Sequence, residues 1–392
     1  MNVCILSKYP PLEGGIAARA YWLARLYAED GMNVHVVSNA NAAEKEYRIE
    51  GCYPHIQILP GIKLHEVTAE FPWHIPNEPH SLAKLVDTAL EVVKKNQIDV
   101  IDASYLVPYG IAAFLVSQLT GVPYIIRHGG SDLAKFLKAG QLRYLLKATL
   151  EGAAAIVTDP DHDEAFADFQ TPREHLAPYM PNPKHFHTTE RKDNASPNLL
   201  YLGKINWHWQ RKGLDRILAC LPLLPDDWEM HWVGQGRGEA DFIGHAAKSP
   251  GCEVSLSPFI PPWRVPDLLR QSDYVFCLSV DEPIRSFSNV FAEAACCGAT
   301  IVVDRSFDFK TYSPLLEGDD GLVLRVESEN PESIARALIR HWREREMLPA
   351  KISTLALLYE AYRLRNLEII RGAVSSVFGA PCTTQQTRGA TR

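Results

Sequence analysis

The sequence predicts an α/β protein made of two successive doubly wound halves, each a parallel sheet covered by helices on both faces. Three observations carry this. Short, continuous apolar runs alternate with helical patterns through the first half of the chain, the rhythm of parallel strands buried on both sides. A stretch rich in Pro, Asn and charge, residues 177–198, then interrupts the rhythm and reads as a linker. After it the rhythm restarts and runs for a similar length, and 392 residues suit two domains.

The first half places strands at 3–7, 34–38, 100–102, 124–127 and 155–158, with helices at about 16–30, 79–96, 108–120 and 133–150. The second places strands at 199–202, 229–233, 253–256, 274–278, 300–303 and 321–324. Its helices lie at about 212–222, 238–248, 263–271, 288–297 and 331–345. A long helical pattern at 351–376 has no strand after it and is expected to cross back onto the first domain. The domains are therefore set at 1–185 and 186–350, with a returning helix at 351–378 and a disordered tail at 379–392. Two such halves leave a cleft between them, and folds of this kind bind ligands at the carboxyl ends of their strands.

Composition narrows the function. Hydrophobic residues make up 46% and charged residues 22%, ordinary for a globular chain. The net charge of −7 gives no global basic field for nucleic acid. The eight cysteines form no C-x-x-C pair, and several sit in apolar runs. That pattern points to reduced, buried thiols in a cytoplasmic protein rather than disulfides or zinc. The N-terminus has no signal-peptide basic region, and no apolar run reaches membrane-spanning length. The expectation is a cytoplasmic chain, at most peripheral to the inner face of a membrane. Lys135, Lys138, Arg143 and Lys147 spread over roughly half of a helix circumference, which favours a solvated face over a lipid-binding stripe.

Candidate chemistry sits at strand ends. Gly14-Gly15 follows the first strand and opens a helix, where backbone amides can approach an anion. A simple glycine turn is the alternative. His128, at the end of another strand in "RHGGSD", can hold a substrate hydroxyl or carbonyl, or be a core histidine, and Asp132 suits an N-cap. Lys204 and Lys212, in "GKINWHWQRKG", suit a diphosphate whose charge must be balanced as it leaves, or are two solvated lysines. Trp207 and Trp209 between them either stack on a ligand or pack the loop, the second being favoured.

In "SVDEPIRSFSNVFAEAACCGATIVV" (279–303), Ser286 or Ser288 can cap a helix that stops at Gly298. The amides of Ser288, Asn289 and Val290 would then offer an anion site. Glu293, among alanines one turn further in, suits a two-pronged grip on a ribose, with a solvated helix glutamate as the alternative.

In type and order these pieces resemble the family 4 retaining glycosyltransferases of the GT-B fold, from the glycine turn to the end of the second domain. The resemblance implies a nucleoside-diphosphate sugar held mainly by the second domain and a small-molecule, saccharide or lipid-linked acceptor held by the first. It implies Lys204 and Lys212 on the diphosphate, His128 on the donor sugar, and backbone near Ile260, in "PFIPPWRVPDLL", on the base. It also implies retention of anomeric configuration, no cofactor and no metal, with lysines and helix amides in place of a cation.

One departure stands out. The family carries two glutamates separated by seven residues, and the position eight before Glu293 is Arg285. Either Glu282 substitutes from three residues earlier, or Arg285 meets the donor as a cation. The rival readings are a nucleotide-sugar 2-epimerase or phosphorylase-like enzyme of the same architecture, and a non-catalytic nucleotide-sugar-binding protein. The segment 64–80, with three His and two aromatics, borders the acceptor pocket on position alone.

Overall fold

The computed structural model describes residues 1–40, 43–67, 79–129, 132–137, 140, 142–176, 179–189, 195–248, 254–279, 289–307, 322–344 and 352–378. Strands β1 (Asn2–Leu6), β2 (Asn33–Ser38), β3 (Ile62–Glu66), β4 (Val100–Ser104), β5 (Tyr124–Arg127), β6 (Ala155–Thr158) and β7 (Arg173–His175) form the first sheet. Their order is β3-β2-β1-β4-β5-β6-β7 and every pairing is parallel. The helices packed on it are α1 (Gly15–Glu29), α2 (Pro79–Asn96), α3 (Ile111–Thr120) and α4 (Arg143–Glu151).

The second sheet is β8 (Asn198–Leu202), β9 (Glu229–Val233), β10 (Leu256–Ser257), β11 (Tyr274–Cys277), β12 (Thr300–Asp304) and β13 (Val323–Val326). It is also parallel, in the order β10-β9-β8-β11-β12-β13. Around it lie α5 (Leu214–Cys220), α6 (Glu239–Ala246), α7 (Val265–Arg270), α8 (Asn289–Cys296) and α9 (Pro331–Glu344). The doubly wound, two-sheet architecture is the one the sequence predicts.

The central strands are the apolar runs: in β1 only Asn2 is other than buried, and in β8 only Asn198. β3 and β7 were missed by the sequence pattern because neither is an apolar run. β3 is an edge strand with one buried residue in IKLHE, and β7 is a three-residue edge strand, REH. The helix expected over 133–150 is two pieces, a helical turn at Leu133–Leu137 and then α4, with Gly140 between them at φ +68°. Lys135, Arg143 and Lys147 therefore do not share one helix, and Lys138 lies outside the described residues.

The final helix, α10 (Ile352–Phe378), returns across β4 and β5. Leu367 and Ile370 on it are buried, and charge pairs fasten it at both ends of the crossing. Arg363 and Arg371 hold Asp30 at 3.0 and 2.5 Å, and Arg365 holds Glu174 at 2.6 Å. Beneath it, Asp102 is fully buried and accepts hydrogen bonds from Arg127 (2.9 Å) and Tyr27 (2.8 Å). The stretch read as a linker also enters the core, since Tyr179, Met180 and Phe186 are buried.

Separate apolar clusters fill the outer faces of the two sheets, but the inner one is shared. It joins α1, α8 and α10 with residues of both sheets. Cys4, Cys52, Cys220, Cys296 and Cys297 are buried. Among the described residues, no helix is long and apolar enough to cross a membrane.

Candidate active site

Each sheet has a topological switch point, where neighbouring strands send their connections in opposite directions and leave a crevice at the carboxyl edge. In the first sheet it lies between β1 and β4, and in the second between β8 and β11. The segments leaving these strands are Lys8–Gly15, Tyr105–Gly110, Gly203-Lys204, and the stretch that runs from Cys277 to α8. Gly14, Gly15 and Lys204 come from these segments, Lys212, Glu293, His128 and Ile260 from elements beside them, and contacts of Lys204 with Glu13 and of Asn289 with Gly15 bring the two switch points together.

Lys204 reaches across to the glycine turn. Its ammonium stands 2.5 Å from Glu13 Oε1, and a Cβ on Gly14 would lie 2.9 Å from its Cε. Gly14 also has φ +101°, so the backbone favours glycine there, while the lysine stem beside it could shift. Lys212 Nζ donates to the Lys204 backbone carbonyl at 2.8 Å, which places the Lys212 ammonium against the loop that carries Lys204. Burial pushes the Glu13 carboxyl up, while Lys204, and then Lys8, pull it down. Burial lowers the Lys8 ammonium to about 7, with Lys204 adding to the effect and Glu13 and Asp132 opposing it. Lys8 lies 5.5 Å above the Tyr105 ring.

On the other side of the turn, Asn289 Nδ2 donates to the Gly15 carbonyl at 2.8 Å, and Arg19 Nε donates to Asn289 Oδ1 at 2.5 Å. At the helix start, Asn289 is buried and its side chain is spent on the first domain. Val290 is half-buried against the shared core. Ser286 and Ser288, Glu282 and Arg285 lie outside the described residues.

Glu293 is only 5% exposed, which removes the solvated alternative. Its carboxylate accepts from Tyr179 OH at 3.2 Å. Burial pushes its carboxyl up to about 7, against the Tyr179 hydrogen bond and the Arg19 charge.

His128 is buried at the end of β5, its Nε2 2.9 Å from Thr158 Oγ1 and its ring 5.6 Å from that of His162. Burial lowers it to about 4, so it is a neutral imidazole at pH 7. Asp132 is not an N-cap: its carboxylate accepts from the amides of Leu106 (3.0 Å) and Gly129 (3.2 Å), tying the loops after β4 and β5 together. Ile260 is half-buried, and its loop is held by Gln235, whose Oε1 accepts from Phe259 N at 3.1 Å. Gln235 Nε2 in turn donates to the carbonyls of Glu46 (2.9 Å) and Arg48 (3.3 Å) in the first domain. Trp209 packs into the second domain and donates to Asp241, while Trp207 is 64% exposed.

A metal would need converging ligands. The sequence does hold Asp-x-Asp triplets, at 159–161 and 161–163. Asp159 is engaged by His162 at 2.8 Å, and Asp163 by Arg173 and His175, both at 2.9 Å. Among the described residues, no three His, Cys, Asp or Glu side chains gather as a metal site.

Family models match both halves. One described as "Glycosyl transferase 4-like domain" covers residues 14–179, and one described as "Glycosyl transferases group 1" covers 196–344. The chain belongs to the group 1, family 4 glycosyltransferases. A curated relative, N-acetyl-alpha-D-glucosaminyl L-malate synthase of Bacillus anthracis, is 25% identical over 308 residues, 75% of this chain and 77% of the relative. Among solved structures, sucrose-phosphate synthase of Thermosynechococcus elongatus aligns with TM-score 0.63 and 17% identity, over 96% of this glycosyltransferase and 97% of that chain. Anabaena HepE in complex with UDP-glucose aligns with TM-score 0.63 and 15% identity, over 96% and 100%. Both show the GT-B fold.

Sequence reasoning missed Glu13, Arg19, Gln235 and Tyr179 in this glycosyltransferase. Glu13 was within sight, directly before the glycine pair, and Gln235 stands in a Gly-x-Gly at a strand end that by itself reads as turn glycines; Arg19 and Tyr179 carry no local signal, because their partners lie in the opposite half of the chain.

Proposed function

We propose that the protein transfers a sugar from a nucleoside-diphosphate donor to an acceptor with retention of configuration and without a metal. The meeting of the two switch points supports this most directly: paired lysines, a glycine turn and the start of α8 converge where the strand ends of both domains face each other. In this reading Lys204 and Lys212 balance the diphosphate, Glu293 takes the ribose hydroxyls, the loop at Ile260 receives the base, and neutral His128 meets the donor sugar. The first domain takes the acceptor.

The bond from the sugar's anomeric carbon to the diphosphate breaks on the face where the acceptor's bond forms. The acceptor's proton passes to the departing phosphate oxygen, so no protein nucleophile is required. Charge then grows on the diphosphate beside the lysines, where preorganised cations act most strongly. The HepE complex with UDP-glucose brings a UDP-sugar forward as the first donor to try.

The test is a panel of nucleotide sugars with hydroxyl and amine acceptors, with and without a chelator, the product's anomeric configuration being read by NMR. Free nucleoside diphosphate and a retained, chelator-insensitive product are expected. An altered sugar nucleotide with no acceptor consumed would make it an epimerase, and loss of activity with chelator would contradict metal independence.

A further inference from the structure

Glu13 has a side chain 1% exposed, yet it lies 2.5 Å from the ammonium of the donor lysine across the domain junction. We propose that Glu13 is a further residue of the donor site: its carboxylate competes with the donor's diphosphate for Lys204, and the donor binds by displacing it. This rests on Lys204 being a diphosphate ligand.

The geometry supports an exchange of partners rather than a permanent brace. Gly14 lets the Lys204 stem lie against the turn that a phosphate would otherwise approach, with Nζ directed back onto Glu13. A lysine built to bind a diphosphate is costly to leave unpaired in a half-buried cleft, and a nearby carboxylate removes that cost. Once a diphosphate arrives, the same carboxylate becomes a like charge beside it and opposes binding. Glu13 has a second basic group to turn to. Lys8 is close enough to influence it, is half-buried, and has no ion pair among the described contacts. Gln235, also buried and close to Glu13, is fixed by its bonds to Glu46, Arg48 and Phe259, so it does not follow Lys204 away.

When the binding-competent state is only a fraction of the population, apparent affinity falls by that fraction. Removing the competing charge while keeping its shape therefore tightens diphosphate binding. Titration calorimetry with uridine, guanosine and adenosine diphosphate tests this on wild type, Glu13→Gln, Lys204→Ala and the double variant. The expected result is that Glu13→Gln binds the preferred diphosphate about tenfold more tightly than wild type. In the Lys204→Ala background, which binds weakly, the same change should have no effect. Unchanged or weaker binding by Glu13→Gln, or equal tightening in both backgrounds, would overturn the role of Glu13 and leave the donor site standing. Binding of no diphosphate by either wild type or Glu13→Gln would overturn both. Glu13→Ala repeats the comparison if the glutamine variant does not fold.

Discussion

Glu293 sits on an eight-residue helix whose other side chains, Asn289 apart, are small or apolar, and it is buried where two domains share a core. Its folded-state value of about 7 lies above the ordinary 4.5, so the native state binds more protons than the unfolded chain between the two. The group's favourable contribution is complete below about pH 4.5 and is lost as pH rises through 7. At pH 8 the buried carboxylate thus costs the fold on the order of 1–3 kcal/mol. Glu293→Gln should be more stable than wild type at pH 8 in chemical denaturation, with the difference shrinking towards pH 5. A difference that does not change with pH would contradict this. A residue that costs the fold stability is suited to a ligand-binding task. Glu293 was legible in the sequence because an acid among alanines at a helix start is conspicuous. Arg19, which balances it, was not: its contact with Asn289 spans 270 residues of sequence.

At the scale of elements, the strands visible as apolar runs are those at the sheet centres, where both faces are covered. β3 and β7 were invisible for the same physical reason that places them at edges: one face or more is wet, so their residues alternate or are polar. The adjacent strands β4 and β5 show a different device. Asp102 and Arg127 pair across them under α10, with Tyr27 closing the triangle. Removing one partner of such a pair leaves an uncompensated buried charge. Asp102→Ala should therefore destabilise the protein by about 3–5 kcal/mol in urea denaturation, whereas replacing Asp102 and Arg127 together by apolar residues should recover most of the loss. Equal losses from the single and double changes would show that the pair is not the source.

The whole molecule is held by contacts that cross between its halves. Besides Glu13–Lys204 and Arg19–Asn289, Arg237 pairs with Glu44 at 2.9 Å, and the inner apolar core runs through α1, α8 and α10 without a break. The two-domain plan was legible because the strand–helix rhythm stops and restarts. The way the halves meet was not, because no local pattern encodes a contact between switch points. The 177–198 stretch shows the limit: its polar composition hid Tyr179, the hydrogen-bond partner of Glu293.

The account's central claim is that these junction residues form a donor site. It is tested most directly by the thermal stabilisation that a series of nucleoside diphosphates gives wild type, Lys212→Ala and Glu293→Ala. A rise in melting temperature with one diphosphate in wild type, reduced in both variants, is the result predicted. No shift in wild type with any diphosphate, or the same shift in all three proteins, would contradict it.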